Sequence, residues 1–138
     1  MMLALRRLIS RRLNGRRDAG DVLATVIIFP AIIGFTLLCL QYALVLQART
    51  AANHSAEIGL DTARSQYGAV PLGIASAQSF ANEAGGALRL PVATGTRSGT
   101  DASITVNGTA VSLFPGFVPD ISVTRTGPVE RITRPGDL

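Results

Sequence analysis

The side chains able to do acid-base or covalent chemistry are few: one cysteine, Cys39, one histidine, His54, and two carboxylates at helical spacing, Glu57 and Asp61. A thiol and an imidazole become a nucleophile and its base only within hydrogen-bond reach of each other. Cys39 lies inside a long apolar run and His54 just beyond its end, so the two are not expected to meet. Cys39 reads as an inert thiol buried in the membrane. Leu38 stands before it, where a lipoprotein signal wants a small residue. His54 reads as an interfacial polar residue, and Glu57 with Asp61, lacking a third partner, as a solvated helix face. The sequence also lacks the clustered ligands of a zinc site, a phosphate-binding loop and a dinucleotide glycine motif. It predicts a protein that is not an enzyme and takes no cofactor or metal. "NHS" at Asn53 and "NGT" at Asn107 match the N-glycosylation pattern, but a hairpin turn accounts for Asn107 better.

The apolar run itself is the dominant feature. Val22 to Ala48 carries no charged side chain, between Asp21 on one side and Arg49 on the other. As an α-helix it would be about 40 Å long, against a hydrocarbon core of about 30 Å. A core helix of that length would need apolar protein on every side, more than 138 residues can supply. A membrane span is expected. The rival is a cleaved signal peptide, whose apolar stretch is usually ~7–15 residues long. "QARTAAN" offers small residues for cleavage near Ala52, but the run is too long for that class. "SRRLNG" is similar to a twin-arginine signal, yet Asn14 occupies a position where that signal prefers an apolar residue.

Charge sets the expected direction. The chain has 13 basic residues, all arginine, and 9 acids. Arg6, Arg7, Arg11, Arg12, Arg16 and Arg17 precede the run with only Asp18 and Asp21 against them, so the whole net charge of +4 sits in the leader. A basic flank stays in the cytoplasm, and everything from Arg49 onward should be translocated. Nucleic-acid binding is the weaker reading of the high pI of 10.6, because no aromatic residues are interleaved with the basic cluster to stack bases.

Four segments are expected. Residues 1–21 form a basic cytoplasmic leader, 22–48 a transmembrane helix, 49–89 an extracytoplasmic helical stem, and 90–138 a small β head with a loose C-terminal tail. In the stem, Ala48, Ala52 and Ala56 recur at spacing four, as do Ser55, Gly59 and Ala63, which makes one smooth face. Such a face suits side-by-side packing of like stems, or it belongs to an alanine-rich exposed helix. Pro71 and Gly73 are expected to interrupt the helix, and Gly85 with Gly86 to end the next one. "LPVATGTRSGTD", Leu90 to Asp101, reads as a loop. "SITVNGTAVSL" reads as a hairpin turning at Asn107 and Gly108, with Ile104, Val106, Val111 and Leu113 on one face. A third strand places Ile121 and Val123 opposite Ser122 and Thr124. The fold class is therefore an α+β membrane protein: a long N-terminal helix continuing into a stem, then a small antiparallel β head.

This order of parts resembles the TadE-like pseudopilins, minor components of bacterial tight-adherence (Tad/Flp-type) pilus systems. The resemblance rests on "RRDAGDVLATVIIFP", "LQYALVLQARTAANHSAEIGLDTAR" and "VSLFPGFVPDISVTRTGPVER", and covers most of the chain. It implies a single-pass protein of the cytoplasmic membrane, N-terminus inside and C-terminal domain outside, that takes part in assembling an adhesive or secretion filament. It implies as partners membrane lipid, other pilin-like subunits, pilus assembly proteins and a prepilin peptidase, with Gly20 and Asp21 as the candidate processing site. Cleavage there would make Thr25 the fifth residue, where pilins and many of these pseudopilins carry Glu. The alternative from another class is a single-pass anchored envelope protein presenting its head as a binding module; a third reading is a secreted protein released near Ala52.

Overall fold

The computed structural model describes residues 2–84 and 86–130, with side chains at 22, 24–84 and 86–130. Two helices precede three strands: α1 Met2–Arg64, α2 Val70–Glu83, β1 Leu88–Arg97, β2 Asp101–Ala110 and β3 Asp120–Pro128. The chain divides into two compact units, Met1–Cys39 and Leu40–Leu138. The coarse expectation holds: a long apolar N-terminal helix is followed by a small antiparallel sheet.

The first unit is a single helical element. It contains Pro30, which lacks the N–H that an interior helical position would donate to Val26. From position 24 onward α1 is long and apolar enough to cross a membrane. Its side chains at 22 and 24–39 are exposed apart from half-buried Gly34, so bulky groups such as Ile27, Phe29, Ile32 and Phe35 have no protein neighbour covering them. Thr36 turns its hydroxyl back to donate to the Ile32 carbonyl at 2.9 Å, which satisfies it without water.

The second unit begins with the rest of α1, Leu40 to Arg64, and here the helix has a buried face. Ala48, Ala52, Ser55, Ala56 and Ala63 have no exposed surface. What covers this smooth face is the chain's own α2 and sheet, which corrects both readings of the stem, a seam between like stems and an exposed helix. α2 supplies a matching face, Gly73, Ala77 and Ala81, again at spacing four. The two helices approach so closely that a Cβ on Gly59 would lie 2.7 Å from both Ala77 Cβ and the Gly73 carbonyl oxygen. The reverse is also true, because a Cβ on Gly73 would lie 2.6 Å from the Gly59 oxygen.

Pro71 and Gly73 do not interrupt the helix as expected. The break falls at Ser65–Ala69, and Pro71 occupies the first turn of α2, where the N–H it lacks has no helical partner in any case. The break is held by Arg97 of β1, whose guanidinium donates to the carbonyls of Ala63 (2.7 Å), Ser65 (3.3 Å) and Gly68. A cation on the last carbonyls of a helix also complements the negative end of its dipole. Gly85 lies outside the described residues, and Gly86 takes a φ of 77° in the connection to β1.

The sheet is an antiparallel meander in the order β1-β2-β3. Of the expected loop at Leu90–Asp101, Leu90–Arg97 is instead most of β1 and Ser98–Thr100 remains a turn, and the expected hairpin at Asn107–Gly108 does not form. β2 runs straight through that pair: Asn107 faces Val92 on one side and Ser122 on the other, and Gly108 faces Ile121. The turn lies earlier, at Ser98–Asp101, where the Ser98 N–H donates to the Asp101 carbonyl at 2.7 Å. Gly108 serves close packing, since a Cβ there would sit 2.8 Å from the Leu88 side chain and 3.0 Å from the Arg89 oxygen. It lies opposite a bulge in β1, where the register shifts between Arg89 and Val92 and Leu90 takes a φ of 49°. The buried face of β2 is Ala102, Ile104, Val106 and Ala110; Val111 and Leu113 fall beyond the strand. In β3, Ile121 is buried and Val123 half-buried, as the alternation predicts. The loose tail expected in "TGPVERITRPGDL", from Thr126 onward, begins later, because Thr126 to Pro128 belong to β3; residues 131–138 lie outside the described residues.

Candidate functional site

His54, Glu57 and Asp61 are each engaged by a neighbour on the same helix. His54 Nδ1 stands 4.0 Å from Glu57 Oε2, both well exposed, and Arg64 Nη2 stands 2.8 Å from Asp61 Oδ1. Each pair spans one helical turn on a wet surface and contributes little to stability. Cys39 is exposed at the end of the first unit, whereas His54 belongs to the second. Among the described residues no three His, Cys, Asp or Glu gather as a metal site. Asn53 accepts a hydrogen bond from Arg125 Nη2 at 3.0 Å, and Asn107 lies exposed in mid-strand. Gly20 and Asp21 are both helical positions of α1, and their side chains fall outside the described ones; Thr25 is exposed.

The features that distinguish the molecule are apolar surfaces and the polar groups that set their limits. One surface is the exposed length of the first unit. The other is the connection from β2 to β3, residues 111–119, which carries three aromatic or branched groups in the short run "FPGFV". Its shape follows from its sequence. Phe114, Pro115, Gly116 and Phe117 form a turn closed by the Phe117 N–H donating to the Phe114 oxygen at 3.3 Å. Gly116 has a φ of 83°, the left-handed value that the third position of a type II turn requires, and proline is favoured just before it. The turn pushes Phe117 and Val118 outward, and both are more than half exposed.

Gln41 of α1 anchors this connection. Its side-chain amide donates to the Val111 oxygen at 3.2 Å and accepts from the Leu113 N–H at 2.7 Å, as a neighbouring strand would. It is nearly fully buried, so both bonds are sheltered from water. Ser112 Oγ accepts from the Phe114 N–H at 3.1 Å and fixes the next step of the chain. Between this connection and the bulged start of β1 lies an open cleft of about 660 Å³, bordered by Arg89, Leu90, Phe117 and Val118. Leu90, held out by its positive φ, is among the most exposed large apolar residues.

Sequence reading missed Gln41, Arg97 and this connection as structural determinants. The signals present were a lone amide inside an apolar run and a Pro-Gly pair between aromatics; nothing in the sequence marked Arg97. No protein-family model, curated protein or solved structure matches the chain.

Proposed function

We propose that this protein is a TadE-like pseudopilin, a non-enzymatic minor subunit in the assembly of a tight-adherence type pilus or a related secretion filament. The observation that carries this reading is the division of labour along α1. Up to position 39 every described large apolar side chain is exposed, and from Gln41 onward one face is buried within the head. A subunit inserted by one helix and presenting a folded head outside the membrane needs both halves. The internally bonded hydroxyl of Thr36 suits a lipid environment.

The packing of α1 also bears on the rival readings. Cleavage near Ala52 would cut through a helix whose residues Ala48 and Ala52 are fully buried in the second unit, removing Gln41 from its partners. That argues against release as a secreted protein. On the proposed reading the arginine-rich leader holds the N-terminus in the cytoplasm, and a prepilin peptidase removes it between Gly20 and Asp21. The test is the N-terminus of the mature protein after co-expression with such a peptidase. A start at Asp21 is expected; an intact Met1 would move the assignment to an anchored envelope protein, and a start near Ala52 to a secreted one. In cells without such a peptidase, protease added to spheroplasts should digest residues 64–138 and spare the leader.

A further inference from the structure

We infer that the β2–β3 connection is a second lipid contact, with Phe117 and Val118 dipping into the outer interface of the same bilayer that α1 crosses. The inference rests on the membrane reading above and adds to it a specific surface of the head. The uncharged run 22–48 is longer than hydrocarbon requires: a helix entering at Val22 needs about 20 residues to cross about 30 Å, which brings the far boundary to the neighbourhood of Gln41. Gln41 is the residue that binds the connection, through Val111 and Leu113. The most apolar exposed turn of the head is therefore fixed to the position on α1 where the hydrocarbon ends. Tyr42, the next residue, is about two-thirds exposed, as an interfacial aromatic would be.

The chemistry around the turn fits a membrane interface. Phe117 and Val118 supply apolar groups without a charge between them, and exposed Arg89 borders the same cleft with a cation. Its guanidinium can reach lipid phosphate while its stem lies along apolar surface. Exposed apolar groups gathered in one place mark an interaction surface more often than chance exposure does.

The chain contains no tryptophan, so one introduced indole reports on one site. Full-length Phe117→Trp, Val118→Trp, Phe35→Trp and Tyr67→Trp variants are reconstituted in phosphatidylcholine–phosphatidylglycerol vesicles, with acyl chains either plain or brominated near the headgroup or deep. Tyr67 lies past the end of α1 and is 90% exposed, so Tyr67→Trp serves as the water reference. The expected result is that both indoles in the turn emit to the blue of Tyr67→Trp and lose most of their emission to shallow bromines. Phe35→Trp is quenched by deep ones and Tyr67→Trp by neither. If Phe35→Trp is quenched while the two turn reporters are not, the inference is overturned and the membrane reading stands. A blue shift in the turn that is insensitive to bromine and grows with protein density means that a second copy covers it, which also overturns the inference. An unquenched Phe35→Trp defeats the membrane reading and the inference together.

Discussion

Gly59→Ala tests whether the smooth face of the stem is spent inside the molecule. Taken alone, alanine in mid-helix is favoured over glycine by roughly 0.5–1 kcal/mol. The new methyl, however, would meet Ala77 Cβ and the Gly73 oxygen at 2.7 Å each, with Ile104 Cγ2 at 3.3 Å. Neither of the two nearest atoms belongs to a flexible chain end, because one is a β-carbon fixed to α2 and the other is its backbone. Overpacking of this kind costs about 1–3 kcal/mol, and with immovable neighbours on two sides the upper half of that range applies. Subtracting the helix gain leaves a net destabilisation of about 1–2.5 kcal/mol. For a cooperative unit of roughly 100 residues that lowers the melting temperature by about 5–20 °C. Gly34→Ala makes the same change in the same helix where nothing lies within 4 Å, so it controls for propensity. Thermal melts of the detergent-solubilised full chain, read by protease resistance of the head, should show the drop for Gly59→Ala alone. A Gly59→Ala protein as stable as its parent would refute the packing of α1 on α2 and restore the stem as an open face.

Gly108→Val should raise the protease sensitivity of the head by forcing Leu88 and the β1 bulge aside, at a cost of about 1–3 kcal/mol, without altering membrane insertion. Arg97→Met should destabilise the head by about 1–3 kcal/mol, measured by urea titration, because one carbonyl in the last turn of α1 and two in the break after it lose their donor; Arg97→Lys should recover only part of this, since an ammonium cannot reproduce the fork. Expressed with a prepilin peptidase but no major pilin, the protein should form no filaments of its own when the cell surface is imaged. A buried Glu at the fifth position of a pilin can pair with a neighbour's free amine, and Thr25 cannot.

The long helix was legible because nothing local competes with it: an uncharged run of that length has few other ways to satisfy its backbone. The third strand was legible from its alternation, with Ile121 buried as expected. The hairpin was misread because Asn-Gly is a strong turn signal only when the strands have no better register. Here β1 and β3 both pair along β2, and extending the strand through Asn107 satisfies more backbone groups than turning there does. β1 itself was hidden by its composition. Thr94, Gly95 and Thr96 look like loop residues, yet Gly95 lies against Ile104 of β2, so the glycine reports close packing and not a bend. Arg97 and Gln41 were illegible for another reason: each acts on backbone groups 29 to 72 residues away, and no spacing rule reaches that far.

The same lesson applies to small residues at spacing four, which invite a helix to pack without saying against what. The partner could have been read from the next helix, since Gly73, Ala77 and Ala81 repeat the spacing found in Ser55, Gly59 and Ala63. Two consecutive helices with complementary smooth faces and a short break between them form a hairpin inside one chain before they meet another chain, because a nearby partner closes a small loop at low entropic cost. Once that face is consumed, association between copies through α1 must use its exposed part, which presents Ile27, Phe29, Ile32 and Phe35. Bulky groups of that kind hold helix backbones apart, and in lipid they pack against acyl chains about as well as against each other. On the pseudopilin reading, a chain whose small-residue face from Ala48 to Ala63 is already covered, and whose fifth position is the uncharged Thr25, has weak means of recognising itself. Its place in a filament would then be decided by contacts that other subunits supply, which is the expected condition of a minor component.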